Sequence, residues 1–532
     1  MKQMCSQIRS CGLHGLDGIP VVIEVSILPG LPAFDIVGLG DSAVRESKDR
    51  VRAAICNSGF TFPKGRLIAC YAPAWLRKGG SGFDLPLALA ILSASGQVRM
   101  PDDAPVIIGE LGLNGKVRHV PGVFCRALAC VERKDEMIMV SRDDAQEAMS
   151  ILPERTVPVA SLDEAAHLVT HWERRERLIR YPFDRQGQNN HDFQNDKQRP
   201  GKITNRSICL SGQSKAVRAL TLSAAGHHSL LMLGSPGCGK TSLASLLPLF
   251  LPPLTDDEAV EVTRIYSAAG LLPEGRGLIR ERPFRAPHHA TTRAALIGGG
   301  VTPVPGEVSL AHRGVLFLDE LTEFKSDHLD LMRQPMELKK IHLSRLRYRM
   351  SYPADFLLIG AANPCPCGAY FEPSDNCRCS EEKIRDHLGR ISGPLIDRIH
   401  LAVEMTRLSA DDLVRSIPVC SSTSDMIDPD EVRKRILMCR QLQHQRCQEQ
   451  RRPLCLNGDT EVRDLGRFIE IDEKLLRYAG QSASRLQMSA RSYHNSLRIA
   501  RTIADLEQSV RVKQDHIDES FQYRIRWPGS RK

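Results

Sequence analysis

Near the middle of the 532-residue chain, Gly234-Ser235-Pro236-Gly237-Cys238-Gly239-Lys240-Thr241 follows G-x-x-x-x-G-K-[ST], the spacing of a phosphate-binding loop. The residue types follow from the chemistry. Glycines let backbone N–H groups approach phosphate oxygens, and a helix starting in the loop adds the positive end of its dipole. Lys240 is placed to bridge terminal phosphates of ATP, and the Thr241 hydroxyl to hold Mg2+. About 80 residues downstream, Gly314-Val315-Leu316-Phe317-Leu318-Asp319-Glu320 is an apolar run ending in two acids. A strand buried on both faces delivers such acids at its C-terminal end, where parallel sheets bind ligands. Asp319 would then hold Mg2+, and Glu320 would polarise the water that attacks the γ-phosphate. A third apolar run, residues 356–362, ends in Asn363, an amide suited to sensing that phosphate and its water.

These groups need a strand entering the loop and a helix leaving it, and residues 230–233 and 241–247 read as that pair. A further run at 401–403 reads as a final strand of the same α/β domain, which spans 201–410 and carries a parallel sheet. Residues 411–532 follow as a C-terminal helical lid. The front of the chain, 1–170, is a separate α+β domain. Strand-like runs at 21–25, 33–37 and 67–71 alternate with helical patterns at 42–58 and 84–95, punctuated by Pro29-Gly30 and Gly79-Gly80. Between the domains, 171–200 is polar and charge-rich, with almost nothing to bury, and reads as a flexible linker.

The bulk composition, 42% hydrophobic and 25% charged, is that of a globular protein of several domains. No run of about eighteen apolar residues and no apolar signal core at the N-terminus are present, so a cytoplasmic protein without membrane contact is expected. Sixteen cysteines in that compartment should be reduced thiols. Cys365-Pro366-Cys367 and Cys377-Arg378-Cys379 pair two C-x-C units; they read either as a tetrahedral Zn2+ site or as unliganded thiols beside Asn363. A net charge of +9 permits DNA binding without demanding it. Locally, residues 338–350 hold five Lys/Arg and no acid in a pattern that suits a hairpin, whose basic side chains would track phosphates. A charged edge strand explains them equally well. Residues 433–452, with seven Lys/Arg against one acid, read as an exposed helix face.

The phosphate loop, Asp319-Glu320, Asn363 and Leu395-Ile396-Asp397-Arg398, in that order, resemble the magnesium-chelatase-like branch of the AAA+ ATPases. Further stretches narrow the likeness. They are Arg282-Pro283-Phe284-Arg285-Ala286-Pro287-His288-His289, Pro305-Gly306-Glu307-Val308-Ser309-Leu310-Ala311-His312-Arg313-Gly314, Asn363-Pro364-Cys365-Pro366-Cys367-Gly368 and Ala500-Arg501-Thr502-Ile503-Ala504-Asp505-Leu506, and they resemble the ComM/YifB family. The resemblance implies that Arg398 is an arginine finger reaching the neighbouring subunit's nucleotide, and that Arg491 is the second sensor on the lid. It implies a homo-oligomeric ring, a hexamer, acting on single-stranded or branched DNA as a helicase or branch-migration factor in natural transformation and recombination. The family usually has Asp and Val ahead of Gly212-Gln213, where this chain has Ile208-Cys209-Leu210-Ser211. The front domain resembles Lon proteases at residues 77–88 and 109–117. Ser81 falls near the Lon nucleophile, but Phe124 aligns with the lysine base, and a serine without a base is a weak nucleophile. Lys78 and Lys116 are the other amines in reach of the sequence pattern, and the domain reads as proteolytically inactive. Two other functions compete: the ATPase subunit of a metal chelatase, against which the front domain counts, and an ATP-dependent protease.

Overall fold

A computed structural model describes residues 5–37, 42–73, 82–131, 136–174, 208–209, 213–273, 275, 277–300, 303–345, 348–372, 377–408 and 426–525. The chain divides into two units. The first comprises Met1–Lys202, Asp256–Arg280 and Gly300–Pro305; the second comprises Ile203–Thr255, Glu281–Gly299 and Gly306–Lys532.

In the first unit, strands β1 (Cys5–His14), β2 (Asp17–Leu28), β3 (Ala33–Val37) and, after helix α1 (Ser42–Asn57), β4 (Arg66–Ala72) form a sheet in the order β1-β2-β4-β3. Val21, Ile23 and Val25 of β2 are buried, the period-two pattern of a sheet with one core face. Helix α2 (Asp84–Ala94) is apolar nearly all round and has ten buried residues, so it is a central helix without a solvent face. A second sheet, all parallel, joins β5 (Val106–Ile107), β6 (Ile138–Ser141) and β7 (Thr156–Val159). Helix α3 (Val123–Val131) is covered by a helix from far along the chain, Asp256–Ala268. Ser267 Oγ donates to Glu147 at 2.5 Å, and the same carboxylate accepts from the Phe124 amide at 2.7 Å. Arg264 ties that helix to the β1–β2 turn through the Leu16 carbonyl at 3.1 Å and Asp17 at 2.7 Å.

Phe124 is fully buried. Ser81 and Lys78 lie outside the described residues, and Lys116 is exposed. Trp172, at the start of the stretch expected to be a linker, is buried in the first unit's core. Its indole surface explains why the fold runs beyond residue 170. Residues 175–200 lie outside the described residues.

In the second unit, α4 (Ser214–Gly226) precedes β8 (Leu230–Gly234), which runs through the phosphate loop into α5 (Lys240–Phe250). With β9 (Phe284–Arg285), β10 (Val315–Leu318), a hairpin of β11 (Lys340–Arg345) and β12 (Tyr348–Pro353), then β13 (Leu357–Ala362), α6 (Glu381–Gly389) and β14 (Leu401–Met405), the chain completes a five-stranded sheet. Its order is β9-β10-β13-β8-β14, and every pair is parallel. Every residue of β8, β10 and β13 is buried, as for parallel strands covered on both faces. The hairpin stands outside this sheet, with Lys340 opposite Pro353 and Arg345 opposite Tyr348.

The C-terminal helices α7 (Pro429–Glu449), α8 (Ala490–Leu506) and α9 (Gln514–Gln522) are held to α4 and the sheet by buried polar bonds as well as apolar contact. Arg440 and Gln443 donate to the Ala224 and Ala225 carbonyls at 2.6 and 3.1 Å. Inside the helical part, Arg446 and Arg501 share Asp505 at 2.5 and 2.8 Å. The basic segment 433–452 keeps an exposed face in Lys434, Arg435 and Arg451, while Arg446 is buried and Arg440 and Arg452 turn to the Ala224 carbonyl and Asp464. No described helix is long and apolar enough to cross a membrane.

His228 is fully buried under α8. Its Nε2 bonds Thr502 Oγ1 at 2.8 Å, and its Nδ1 lies 3.3 Å from His400 Nδ1. Burial, helped by the nearby Arg498, holds both imidazoles neutral, with His400 pushed down to about 3 and His228 well below its usual value. The sign follows. Both states are neutral above the unfolded value of roughly 6.5; below it the open state takes up protons first, so stability is lost as pH falls. The loss is up to about 1.4 kcal/mol per pH unit per histidine. The protection factors of the α8 amides, exchange rates referred to the intrinsic rate at each pH, should therefore fall between about pH 7.5 and about pH 5.5, and His228→Gln with His400→Asn should flatten that dependence. Equal pH dependence in the double variant would refute it.

Candidate functional site

The direction of the parallel strands gathers the predicted residues. β8 ends at Gly234, β10 at Leu318 just before Asp319, and β13 at Ala362 just before Asn363. Because β13 is hydrogen-bonded to both β8 and β10, Asn363 falls between the phosphate loop and the acids. Lys240 Nζ donates to the Gly234 carbonyl at 2.7 Å, the Ser235 carbonyl at 3.0 Å and Asn363 Oδ1 at 3.2 Å. Its burial lowers the amine's pKa. Thr241 Oγ1 donates to Asp319 Oδ2 at 2.7 Å, and the Glu320 amide donates to Asp319 Oδ1 at 2.9 Å. Glu320 itself takes a left-handed backbone, φ 50°, and its exposed carboxylate stands 3.5 Å from His289 Nδ1.

The loop suits a magnesium-bound polyphosphate. Gly237 and Gly239 have φ +79° and +90°, and a Cβ at either would meet nothing within 4 Å, so the backbone faces open space on the concave side. One hydroxyl and one carboxylate, Thr241 and Asp319, form a hard oxygen donor pair of the kind Mg2+ takes. Cys238 is buried behind the loop. Gln213 is fixed to the Cys238 and Thr406 carbonyls at 3.4 and 3.0 Å. Ser235 donates to Glu372 at 2.5 Å, and Pro236 lies against Gly368.

Arg398 and Arg491 are elsewhere. Arg398 precedes β14, whose Leu401 pairs with Leu230 while Met405 pairs with Gly234. It therefore sits at the sheet's other end, beyond the roughly 13 Å that four strand steps cover. There it meets Arg491: both guanidinium groups approach Glu337 Oε1, at 2.5 and 3.5 Å. The local acid that Arg398 engages is thus Glu337. Arg398 also donates to the Pro394 carbonyl at 2.5 Å, and its buried Nε has no partner among the described residues. Both arginines line a cavity of about 760 Å³ with Lys339, Arg498 and His494.

The cysteines Cys365, Cys367, Cys377 and Cys379 come together as one cluster. In the basic hairpin, Lys340, His342 and Arg349 are exposed. Lys339 corrects the expectation for that stretch: it is tied to Asp355 at 3.1 Å and Asp459 at 3.0 Å. Two of the stretches carrying the family resemblance are largely scaffolding. Arg285 and Glu307 lock each other bidentately at 2.7 Å, and Arg282 donates to the Pro252 and Arg313 carbonyls at 2.6 Å each. Glu337, Glu372 and His289 were not singled out from spacing. Only His289 had a signal, its place in the Arg-Pro-Phe-Arg-Ala-Pro-His-His run.

Three family models match the chain: Magnesium chelatase, subunit ChlI, over residues 208–413; Subunit ChlI of Mg-chelatase over 23–144; and Magnesium chelatase, subunit ChlI C-terminal, over 427–524. The chain is 36% identical to protein YifB of Salmonella typhimurium over 511 residues, 96% of this chain and 95% of the relative. It is 36% identical over 524 residues to Competence protein ComM of Haemophilus influenzae, with the same coverage of 96% and 95%. It is 37% identical over 530 residues to protein Rv2897c of Mycobacterium tuberculosis, covering 97% of each.

A Cβ at Gly234 would lie 2.6 Å from the Met405 carbonyl oxygen and 2.8 Å from Cys238 Sγ, so alanine there must push strand from strand. Gly234→Ala should cost about 1–3 kcal/mol in urea unfolding followed by circular dichroism, and the exposed Ser245→Ala less than about 0.5. Equal effects would show that the close approach is not what requires glycine.

Proposed function

The chain belongs to the ComM/YifB family of magnesium-chelatase-like AAA+ ATPases, and from that premise we propose that it is an ATP-hydrolysing ring motor that remodels branched DNA. The observation that carries the nucleotide part is the convergence of Lys240, Thr241, Asp319 and Asn363 at one end of the sheet. The loop amides around Gly237 and Gly239 orient the phosphates, and Lys240 spreads its charge over the terminal ones. Thr241 and Asp319 would hold Mg2+, which would supply positive charge against the phosphates. Glu320 accepts the proton of the attacking water, and Asn363 fixes that water's orientation.

Arg398 and Arg491 serve a different nucleotide. At the far end of the sheet they cannot reach their own chain's loop, so they act on the neighbouring copy's phosphates, and repetition of that contact generates a ring, a hexamer by family resemblance. DNA is assigned to the hairpin of β11 and β12, whose exposed Lys340 and Arg349 can track phosphates. Competence protein ComM, similar over nearly its whole length, supports a place in natural transformation and recombination. The buried Phe124 supports a non-proteolytic first unit.

A second reading, the ATPase of a metal chelatase, keeps weight because a family model of that name extends over residues 23–144, the region expected to count against it. DNA separates the two. The motor reading requires ATP hydrolysis stimulated by single-stranded or forked DNA and strand displacement from a labelled D-loop; hydrolysis with neither response would sink it. Glu320→Gln should bind ATP without turning it over, and Lys240→Ala should lose binding. Arg398→Ala should lower turnover by about 10³-fold or more with binding retained. Mixing inactive Lys240→Ala and Arg398→Ala subunits should restore part of the activity, since some interfaces then pair an intact loop with an intact arginine. No recovery in stably mixed rings would place the arginine's action within one chain.

A further inference from the structure

Between β13 and α6, four cysteines meet. The sulfur atoms of Cys365, Cys367, Cys377 and Cys379 all lie within 4.8 Å of one another. Cys365 is 3.3 Å from Cys367 and 3.7 Å from Cys377, and Cys367 is 3.6 Å from Cys377. None of these is near the roughly 2.05 Å of a disulfide, and all four are free thiols. A tetrahedron built on zinc–sulfur bonds of about 2.3 Å has edges of about 3.8 Å. These three separations approach those edges, and no pair exceeds 4.8 Å, so the cluster has the size of a single-ion site. Four sulfurs form a soft donor set, which selects zinc over Mg2+.

The surroundings also suit metal-bound thiolates. The turn that carries two of them is closed by the Gly368 amide on the Cys365 carbonyl at 2.9 Å, with Gly368 at φ +78°, the kind of outer bond that orients metal ligands. Ile384 and Leu388 of α6 pack under Cys365.

We propose that these four cysteines hold one structural zinc ion per chain and that the metal-stapled loop braces the phosphate loop. The contacts are direct. A Cβ at Gly368 would strike Pro236 Cδ at 2.4 Å. Glu372 accepts the Ser235 hydroxyl at 2.5 Å, and His387 of α6 bonds the Asn363 carbonyl at 3.2 Å. Zinc binding releases thiol protons to water and involves no electron transfer. The metal itself is independent of the nucleotide reading; only the bracing rests on it.

The test uses the full chain purified without chelator. Elemental analysis should find one zinc per chain that survives dialysis against EDTA, and titration with a mercurial reagent should release it as four thiols react. Cys367→Ser with Cys379→Ser should carry no zinc, whereas Cys439→Ser should keep it. With folding retained, the double variant should bind a fluorescent ATP analogue roughly tenfold more weakly. No metal, iron in place of zinc, or zinc retained by the double variant would overturn the site. Unchanged nucleotide affinity in a folded, zinc-free variant would overturn the bracing. If the double variant does not fold, the wild-type stoichiometry decides the metal, and Glu372→Ala, which leaves all four thiols, decides the bracing by the same affinity measurement.

Discussion

A sheet whose strands all run the same way has two unlike ends, and that polarity governs the second unit. Because β8, β10 and β13 are parallel neighbours, residues that leave them in the same direction are delivered to one edge. Lysine, carboxylate and amide therefore meet although more than a hundred positions separate Lys240 from Asn363. The same polarity sends Arg398, which enters β14, to the opposite edge. The residues at the exits of β8, β10 and β13 and the arginine at the entry of β14 therefore lie at opposite edges of the sheet.

How much of this the amino-acid sequence discloses depends on how local each feature is. The phosphate loop, the Asp319-Glu320 pair and Asn363 were legible because each is a short pattern at a strand end, and strand direction did the rest. The insertion of β13 between β8 and β10 was not legible, since strand order depends on connections that no local pattern records. The meeting of Arg398, Arg491 and Glu337 was hidden for the same reason: it joins three separate elements. The four cysteines stood out by type, but only the fold shows that two C-x-C pairs close on one point.

Charge was the least legible property. A basic run looks alike whether it faces water or fills a buried network. Lys339 sits in such a run yet belongs to a cluster with Asp355, Asp459 and His227. Burial alone would raise the Asp459 carboxyl, but His227 and Lys339 hold it well below the usual range. Arg446 and Arg501 are likewise spent on Asp505, because a buried guanidinium persists only with an anion beside it. The surplus of +9 over the chain therefore says little about where a polyanion would lie.

The helix Asp256–Ala268 bears on how the protein can be cut. It packs on α3 and is tied to Asp17 through Arg264 and to Glu147 through Ser267, although the residues before and after its segment belong to the second unit. A fragment ending near residue 170 would bare the α3 surface that this helix covers and strip Glu147 of its serine partner. Cleaving the polar stretch after Trp172 would leave the units joined by the strands of chain that carry Asp256–Arg280 out and back. The two units are thus interlaced in sequence: a cut at a single point takes Asp256–Arg280 from the first unit and leaves it on the second.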